Sequence, residues 1–201
     1  MSDIAARIRT LPSGRPDRAV DHFARRALRE GTVRVAFDVA PSPIGDLTAL
    51  VTPRGLLALA FETDDLDRLM ESVAAKVSPA ILRVPSAIGP VRSWLDSYFE
   101  GSPQPELHLD RSLITPFQDR VLTATASIPP GETRTYGQVA SLAGNHKAAR
   151  ATGRALGANP IPIVLPCHRV VAADGSLHGY AGGLGRKRLL LDHERETAIH
   201  R

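Results

Sequence analysis

One cysteine in 201 residues excludes an intrachain disulfide and any zinc site built from several cysteines. The single thiol, Cys167, is then either an inert buried side chain or a reactive one. No apolar run approaches the roughly 18 residues that a bilayer crossing needs, and the first fifteen residues lack the apolar stretch of a signal peptide. A cytoplasmic protein is expected. Internal repeats and low-complexity tracts are also missing. Hydrophobic residues at 43% and charged residues at 23% are ordinary for a globular chain, which excludes wholesale disorder and the fibrous classes. The length allows one domain or two small ones.

The net charge of +4 hides an uneven distribution. Residues 32–110 carry 6 Lys or Arg against 11 Asp or Glu, whereas residues 111–201 carry 12 against 6. The basic half is the candidate for binding a polyanion, although a solvated surface is the simpler reading until a motif decides.

Residues 1–31 contain seven arginines, and Val20, Phe23, Ala24, Ala27 and Leu28 recur at helical spacing before Gly31. An amphipathic helix in an N-terminal extension is expected, its arginines on an exposed face. From Thr32 the pattern changes to period two, with Val33, Val35 and Phe37, then Leu47, Ala49 and Val51, then Leu56 to Phe61. The intervening Pro41-Ser-Pro-Ile-Gly45 and Pro53-Arg-Gly55 mark turns, so a small antiparallel sheet is predicted. Leu66, Leu69, Met70, Val73, Ala74 and Val77 share a helical face after the capping candidates Asp64 and Asp65. A further helix is predicted from about Ile88 to Phe99, and Gly101-Ser-Pro-Gln-Pro105 reads as a linker. The expected organisation is α+β: an extension (1–31), a sheet-and-helix domain (32–105), and a mainly helical domain (112–196).

The last region opens with Thr115-Pro-Phe-Gln118, a capping box with proline at the first helical position, and a helix to about Ala126 should follow. Two short helices, about 136–143 and 147–157, are joined by Gly144-Asn145-His146, a helix-turn-helix pattern. On the second, Lys147, Arg150 and Arg154 share a stripe suited to phosphates, while Ala148, Thr152, Ala155 and Leu156 can face a core. Ala149, Gly153 and Gly157, spaced by four, leave a strip with almost no side-chain volume. Either another helix packs there or the strip enters a narrow groove, such as the DNA minor groove, about 6 Å wide.

The apolar run Ile161-Pro-Ile-Val-Leu-Pro-Cys-His-Arg-Val-Val171 is interrupted by a polar triplet that a buried strand would not normally contain. Imidazole and guanidinium groups favour a thiolate, and His168 and Arg169 directly follow Cys167. Adjacent side chains diverge in a strand, so proton transfer between Cys167 and His168 needs a turn or a bridging water. Glu194, on the final helix, is the candidate acid to orient His168. Inert packing of a lone cysteine beside a histidine is the competing reading.

Pro166-Cys-His-Arg-Val170 resembles the active-site signature of the methylated-DNA-protein-cysteine methyltransferases, the O6-alkylguanine-DNA alkyltransferases. The resemblance extends through Thr115–Gln118, Pro130-Gly-Glu-Thr-Arg-Thr-Tyr-Gly137, Ala148-Ala-Arg-Ala-Thr-Gly153, Asn159-Pro160, Gly179-Tyr-Ala-Gly-Gly-Leu184 and Lys187 to Glu194, about residues 112–196. Ser42-Pro-Ile-Gly45 and Arg54-Gly-Leu56 look like the family's variable first domain.

This resemblance implies transfer of an alkyl group from O6-alkylguanine, with O4-alkylthymine a second candidate, to Cys167, once per molecule. By similarity, the helix-turn-helix enters the minor groove of double-stranded DNA through Ala149 and Gly153, with Lys147 and Arg154 beside it, and Arg150 fills the gap left by the flipped base. Tyr136 serves that base, Asn159 ties the recognition helix to the active-site turn, and Glu194, His168 and a water take the Cys167 proton. Val170, Tyr180, Ala181, Gly182 and Lys187 line the base pocket, with the carbonyls of Cys167 and Val170 accepting from the guanine amine. Ala181 stands where some relatives have serine, leaving backbone amides around 181–183 for the base oxygen. No metal and no cofactor are expected, nor an obligate protein partner; a monomer is. Three rival functions differ in what they require. A non-catalytic lesion binder lacks the cysteine, a sequence-reading transcription factor needs base-reading side chains on the second helix, and a thiol hydrolase turns over.

Overall fold

The computed structural model describes residues 22, 26–28 and 30–199, with only the backbone of Ile199. Most of the helix expected within 1–31 lies outside the described residues; Arg26–Leu28 are helical and Ala27 is buried. The chain divides into two compact units, one running to Asp96 and taking in Gln104–Leu113, the other holding Ser97–Pro103 and the chain from Ile114.

The first unit is built on strands β1 (Val35–Ala40), β2 (Leu47–Thr52) and β3 (Gly55–Phe61), antiparallel neighbours in the order 3-2-1. A fourth strand, β4 (Ile81–Arg83), pairs in parallel with β1, so the sheet is mixed rather than purely antiparallel. Three residues give no alternation to read, and β4 is recruited by the exposed edge of β1. Burial also departs from the period-two expectation, because β2 is buried along its whole length and β3 from Leu56 onward. Helix α1 (Leu66–Lys76), capped by the Asp65 carboxylate on the Arg68 amide, lays Leu66, Met70 and Val73 against Val35, Phe37, Leu50 and Leu57. Each such side chain taken fully from water stabilises by about 1.5–3 kcal/mol. β1 also meets the 3-10 turn Pro85–Ile88, which leads into helix α2 (Gly89–Phe99). Gly55 sits at φ +128°, and a Cβ there would lie 2.1 Å from the His108 carbonyl oxygen, which accepts from the Leu56 amide. That close approach requires glycine.

In the second unit, helix α3 (Pro116–Ala126) carries the capping box read from Thr115 and Gln118. A second box, Thr135 with Gln138, starts helix α4 (Tyr136–Leu142) and was not anticipated. Helix α5 spans Ala149–Gly157, so Lys147 lies in the turn before it rather than on the helix; its amide bonds the Asn145 carboxamide oxygen instead. Thr152, Ala155 and Leu156 are buried, as the helix periodicity requires. Buried Gln118 ties α3 to the end of α5 by donating to the carbonyls of Ala155 at 3.1 Å and Ala158 at 2.7 Å. These acceptors belong to the last turn of α5, where carbonyls lack helical partners. Strands β5 (Arg134–Thr135) and β6 (Val170–Val171) form a two-residue parallel ladder, and helix α6 (Gly183–Ile199) closes the chain.

Candidate active site

Cys167, His168 and Arg169 form a 3-10 turn, buried throughout, and β6 begins at the next residue. The ladder from β6 to β5 places this turn beside Thr135, hence beside Tyr136 at the start of α4. The preceding loop is shaped by Pro160, Pro162 and Pro166, which supply no backbone donors. Ile163 adopts φ +73°, a region that a β-branched residue enters at a cost of about 1–3 kcal/mol. Asn159 braces the loop: its Oδ1 accepts from the Ile161 amide at 3.0 Å, and its Nδ2 donates to the Leu165 carbonyl at 2.8 Å. The same Nδ2 donates to Cys167 Sγ at 3.2 Å.

The turn geometry splits the polar triplet. His168 Nε2 meets Glu194 Oε1 at 2.8 Å, both side chains almost wholly buried. Arg169 was expected near the sulfur. It points instead to Glu194, through Nη2 to Oε1 at 2.8 Å and Nε to Oε2 at 2.9 Å, and donates to the Ile128 carbonyl at 2.6 Å. Successive side chains in a 3-10 turn leave in different directions, so only a neighbour in sequence, not in space, is offered to the thiol. Glu194 also accepts from the Tyr98 hydroxyl at 2.8 Å and, at 3.4 Å, from the Gly131 amide. Gly131 has φ +81°, and a Cβ on it would press on Ala198 and the Glu194 carbonyl, which glycine avoids.

On α6, Lys187, Leu190, Leu191 and Glu194 form one buried face, so helical spacing presents an ammonium and a carboxylate to the same interior. Lys187 Nζ donates to the carbonyls of Val170 at 2.6 Å and His178 at 2.9 Å. The Val170 carbonyl, assigned from sequence to an incoming base, thus already serves Lys187. Tyr136 donates to the same His178 carbonyl at 3.1 Å. Tyr180 sets its ring edge-on to His168, centroids 6.4 Å apart; Gly182 is buried and Ala181 exposed. On α5, Arg150 and Arg154 are exposed, as is Lys147 before the helix, while Ala149 is half-buried. A Cβ on Gly153 would touch the Tyr136 ring at 3.7 Å, whereas one on Gly157 would meet nothing. The bare strip therefore has a packing neighbour at Gly153 and open space at Gly157.

Burial pushes the Cys167 thiol up to about 11, against the Asn159 hydrogen bond and the Lys187 charge, which pull it down. That shift keeps the sulfur protonated at rest. Burial likewise holds His168 below the ordinary imidazole range, with Arg169 and Lys187 adding to the effect and Glu194 opposing it. Burial alone would raise Glu194, yet the hydrogen bonds of His168 and Arg169 hold it well below the usual carboxylate range. An ionised carboxylate can only accept, so His168 carries its proton on Nε2 and presents a lone pair at Nδ1. Nδ1 is buried and has no hydrogen-bond partner among the described residues. Burial raises the Tyr136 phenol, and proximity to Cys167 adds to this. Among the described residues no group of three or more His, Cys, Asp or Glu side chains is placed to hold a metal ion, and no helix can cross a membrane.

Sequence reasoning missed Tyr98, the bonds of Gln118 to the end of α5, and the true partner of Arg169. Tyr98 lies 96 residues from Glu194 and carries no local signal.

Residues 116–196 match the family model described as the DNA-binding domain of 6-O-methylguanine DNA methyltransferase. A methylated-DNA-protein-cysteine methyltransferase of Mycobacterium tuberculosis is 47% identical over 57% of this chain and 69% of its own length. The mouse protein of that name is 37% identical over 81% of this chain and 82% of its own. The crystal structure of the M. tuberculosis O6-methylguanine methyltransferase superposes with a TM-score of 0.69 at 39% identity, covering 81% of this chain and 94% of that one. The same protein has been solved in complex with DNA, at 38% identity and a TM-score of 0.69, covering 82% and 94%. The chain belongs to the methylated-DNA-protein-cysteine methyltransferase family.

Proposed function

We propose that this protein repairs DNA by moving the alkyl group of an O6-alkylguanine onto Cys167 Sγ, once per molecule and acting as a single chain. The observation that carries the reading is the buried chain Glu194–His168 ending in an unpartnered Nδ1 on the residue next to the lone thiol. A thiol near 11 is about four pH units from ionising at neutrality, a deficit of about 5 kcal/mol. In this reading the proton leaves as the sulfur attacks. A water passes it to His168 Nδ1, and Glu194 holds the imidazolium that results. The sulfur attacks the alkyl carbon, forming the S–C bond as the C–O6 bond breaks. The guanine departs with its negative charge met by backbone amides near Ala181–Gly183 and by the Tyr136 phenol, whose single O–H turns from the His178 carbonyl to a ring nitrogen. Asn159 and Lys187 favour the developing thiolate, one by hydrogen bond and the other by charge. The thioether has no hydrolytic route, so the molecule is spent.

Access to the base requires flipping it from the duplex, at a cost of a few kcal/mol. In this reading α5 lies in the minor groove, with Arg150 filling the vacated stack and Lys147 and Arg154 on phosphates. Open space at Gly157 and the exposure of Arg150 support it. A duplex labelled in the O6-methyl group tests the transfer: label should reach the wild type and not Cys167→Ala. Label on Cys167→Ala, or methyl released from a wild-type protein left unmodified, would overturn it. Arg150→Ala should slow repair of the duplex while sparing reaction with free O6-methylguanine; equal losses on both would remove the stack-filling role.

A further inference from the structure

Glu194 Oε1 receives three donors at the same distance of 2.8 Å: His168 Nε2, Arg169 Nη2 and the Tyr98 hydroxyl. A carboxylate oxygen offers about two lone-pair directions, so three donors compete for it. Two belong to the active-site turn, and the third comes from the last turn of α2. The Tyr98 ring is fixed independently of its hydroxyl. It packs edge-on to Phe99 at 5.1 Å and tilted on His193 at 5.4 Å, and the Tyr98 carbonyl bonds the His193 ring nitrogen at 2.9 Å.

We propose that Tyr98 is a positioning residue for alkyl transfer: its hydroxyl occupies part of Glu194 Oε1, limits how strongly that carboxylate holds the imidazolium of His168, and so keeps the base unprotonated before the step. This rests on the transfer chemistry assigned to Cys167, His168 and Glu194. Burial, with the Glu194 charge and hydrogen bond adding to it, keeps the Tyr98 phenol protonated, so it acts only as a donor. The groups facing His168 are Glu194 and Lys187 from α6, Arg169 from its own turn, Tyr98 beyond the carboxylate, and the Tyr180 ring. Arg169 and Lys187 both oppose protonation of the ring, and Glu194 favours it. Removing the hydroxyl leaves these charges in place and returns a lone pair to the His168 hydrogen bond, which strengthens the one favourable partner.

Tyr98→Phe keeps the ring contacts and deletes the competing donor. In single-turnover transfer from an O6-methylguanine duplex, the acid limb of the rate profile should move to higher pH by about half to one unit. The His168 ring, followed by nitrogen NMR without DNA, should titrate higher by the same amount. A uniform fall in rate with the acid limb and the titration unmoved would show a merely structural role and overturn the proposal. A wild type that transfers nothing to Cys167 would remove the chemistry itself, and the role of Tyr98 with it, even with the titration shifted. Should Tyr98→Phe fail to fold, Tyr98→Met, which fills the site without a hydroxyl, gives the same two readings.

Discussion

Each unit of this protein buries a carboxylate against arginine, and the two sites differ in what else reaches it. In the first unit Asp38 accepts from Arg83 Nε at 2.7 Å and from Arg92 Nη2, while Arg92 also holds the Val39 carbonyl. Its arginine partners are always charged, so the cluster can only tie β1, β4 and α2 together. In the second unit one donor to Glu194 is an imidazole whose other nitrogen is left unpaired inside the protein. Exchanging one fixed cation for a titratable ring turns a structural clasp into a proton acceptor. Burial is common to both, and the protonation chemistry of the partner decides which does work.

The comparison breaks most sharply at Glu194. Glu194→Gln should slow transfer to Cys167 by about a hundred- to a thousand-fold in single-turnover assays, since the imidazolium loses its counter-charge. It should also destabilise the protein by about 3 kcal/mol, because Arg169 is left buried without its anion. Asp38→Asn removes the analogous charge from the first unit. Chemical denaturation should show a smaller loss, on the order of 1–2 kcal/mol because Arg83 and Arg92 are partly exposed, while the transfer rate of the folded fraction stays near wild type. A large rate defect in Asp38→Asn would erase the distinction between the two carboxylates.

Acid should sharpen it. Both Glu194 and His168 have folded values below their unfolded ones. Each therefore contributes stability that is fully present above its unfolded value and is lost as pH falls through the window towards the folded one. For His168 the loss begins below about pH 6.5, and for Glu194 below about pH 4.3. The melting temperature should thus drop between pH 7 and 5 in the wild type and drop less in His168→Gln. Equal slopes would mean that the imidazole does not carry the acid sensitivity.

Much of this was readable in the sequence, and the omissions share a cause. Capping boxes are local, and Thr115 with Gln118 announced α3. Cys167, His168 and Glu194 could be named because an ordered set of motifs carried them; the structure pairs His168 with Glu194, one residue after Cys167 in the same turn. What stayed hidden depends on side-chain direction or on distant pairing. Arg169 read as an activator of the thiol because adjacency says nothing of where a 3-10 turn aims its residues. Tyr98 and the second role of Gln118 lie 96 and about 40 residues from their partners. Lys147 was placed on α5 by extending a charge stripe past the point where the backbone becomes helical.

The smallest effect concerns the missed capping box. Thr135→Ala should cost about 1 kcal/mol in denaturation, by freeing the Gln138 amide at the start of α4. Because Thr135 also pairs with Val171 beside the active-site turn, its loss tests whether the helix-turn-helix and that turn unfold together. Separate transitions would show that they do not.

The central claim is a single thiol consumed once. The most direct measurement is the mass of the Cys167 peptide over time with O6-methylguanine duplex in excess. The account predicts a rise to one methyl group per protein, all of it on Cys167, followed by a plateau in duplex repair. Continued repair beyond that ratio, or a methyl group on another residue, would contradict it.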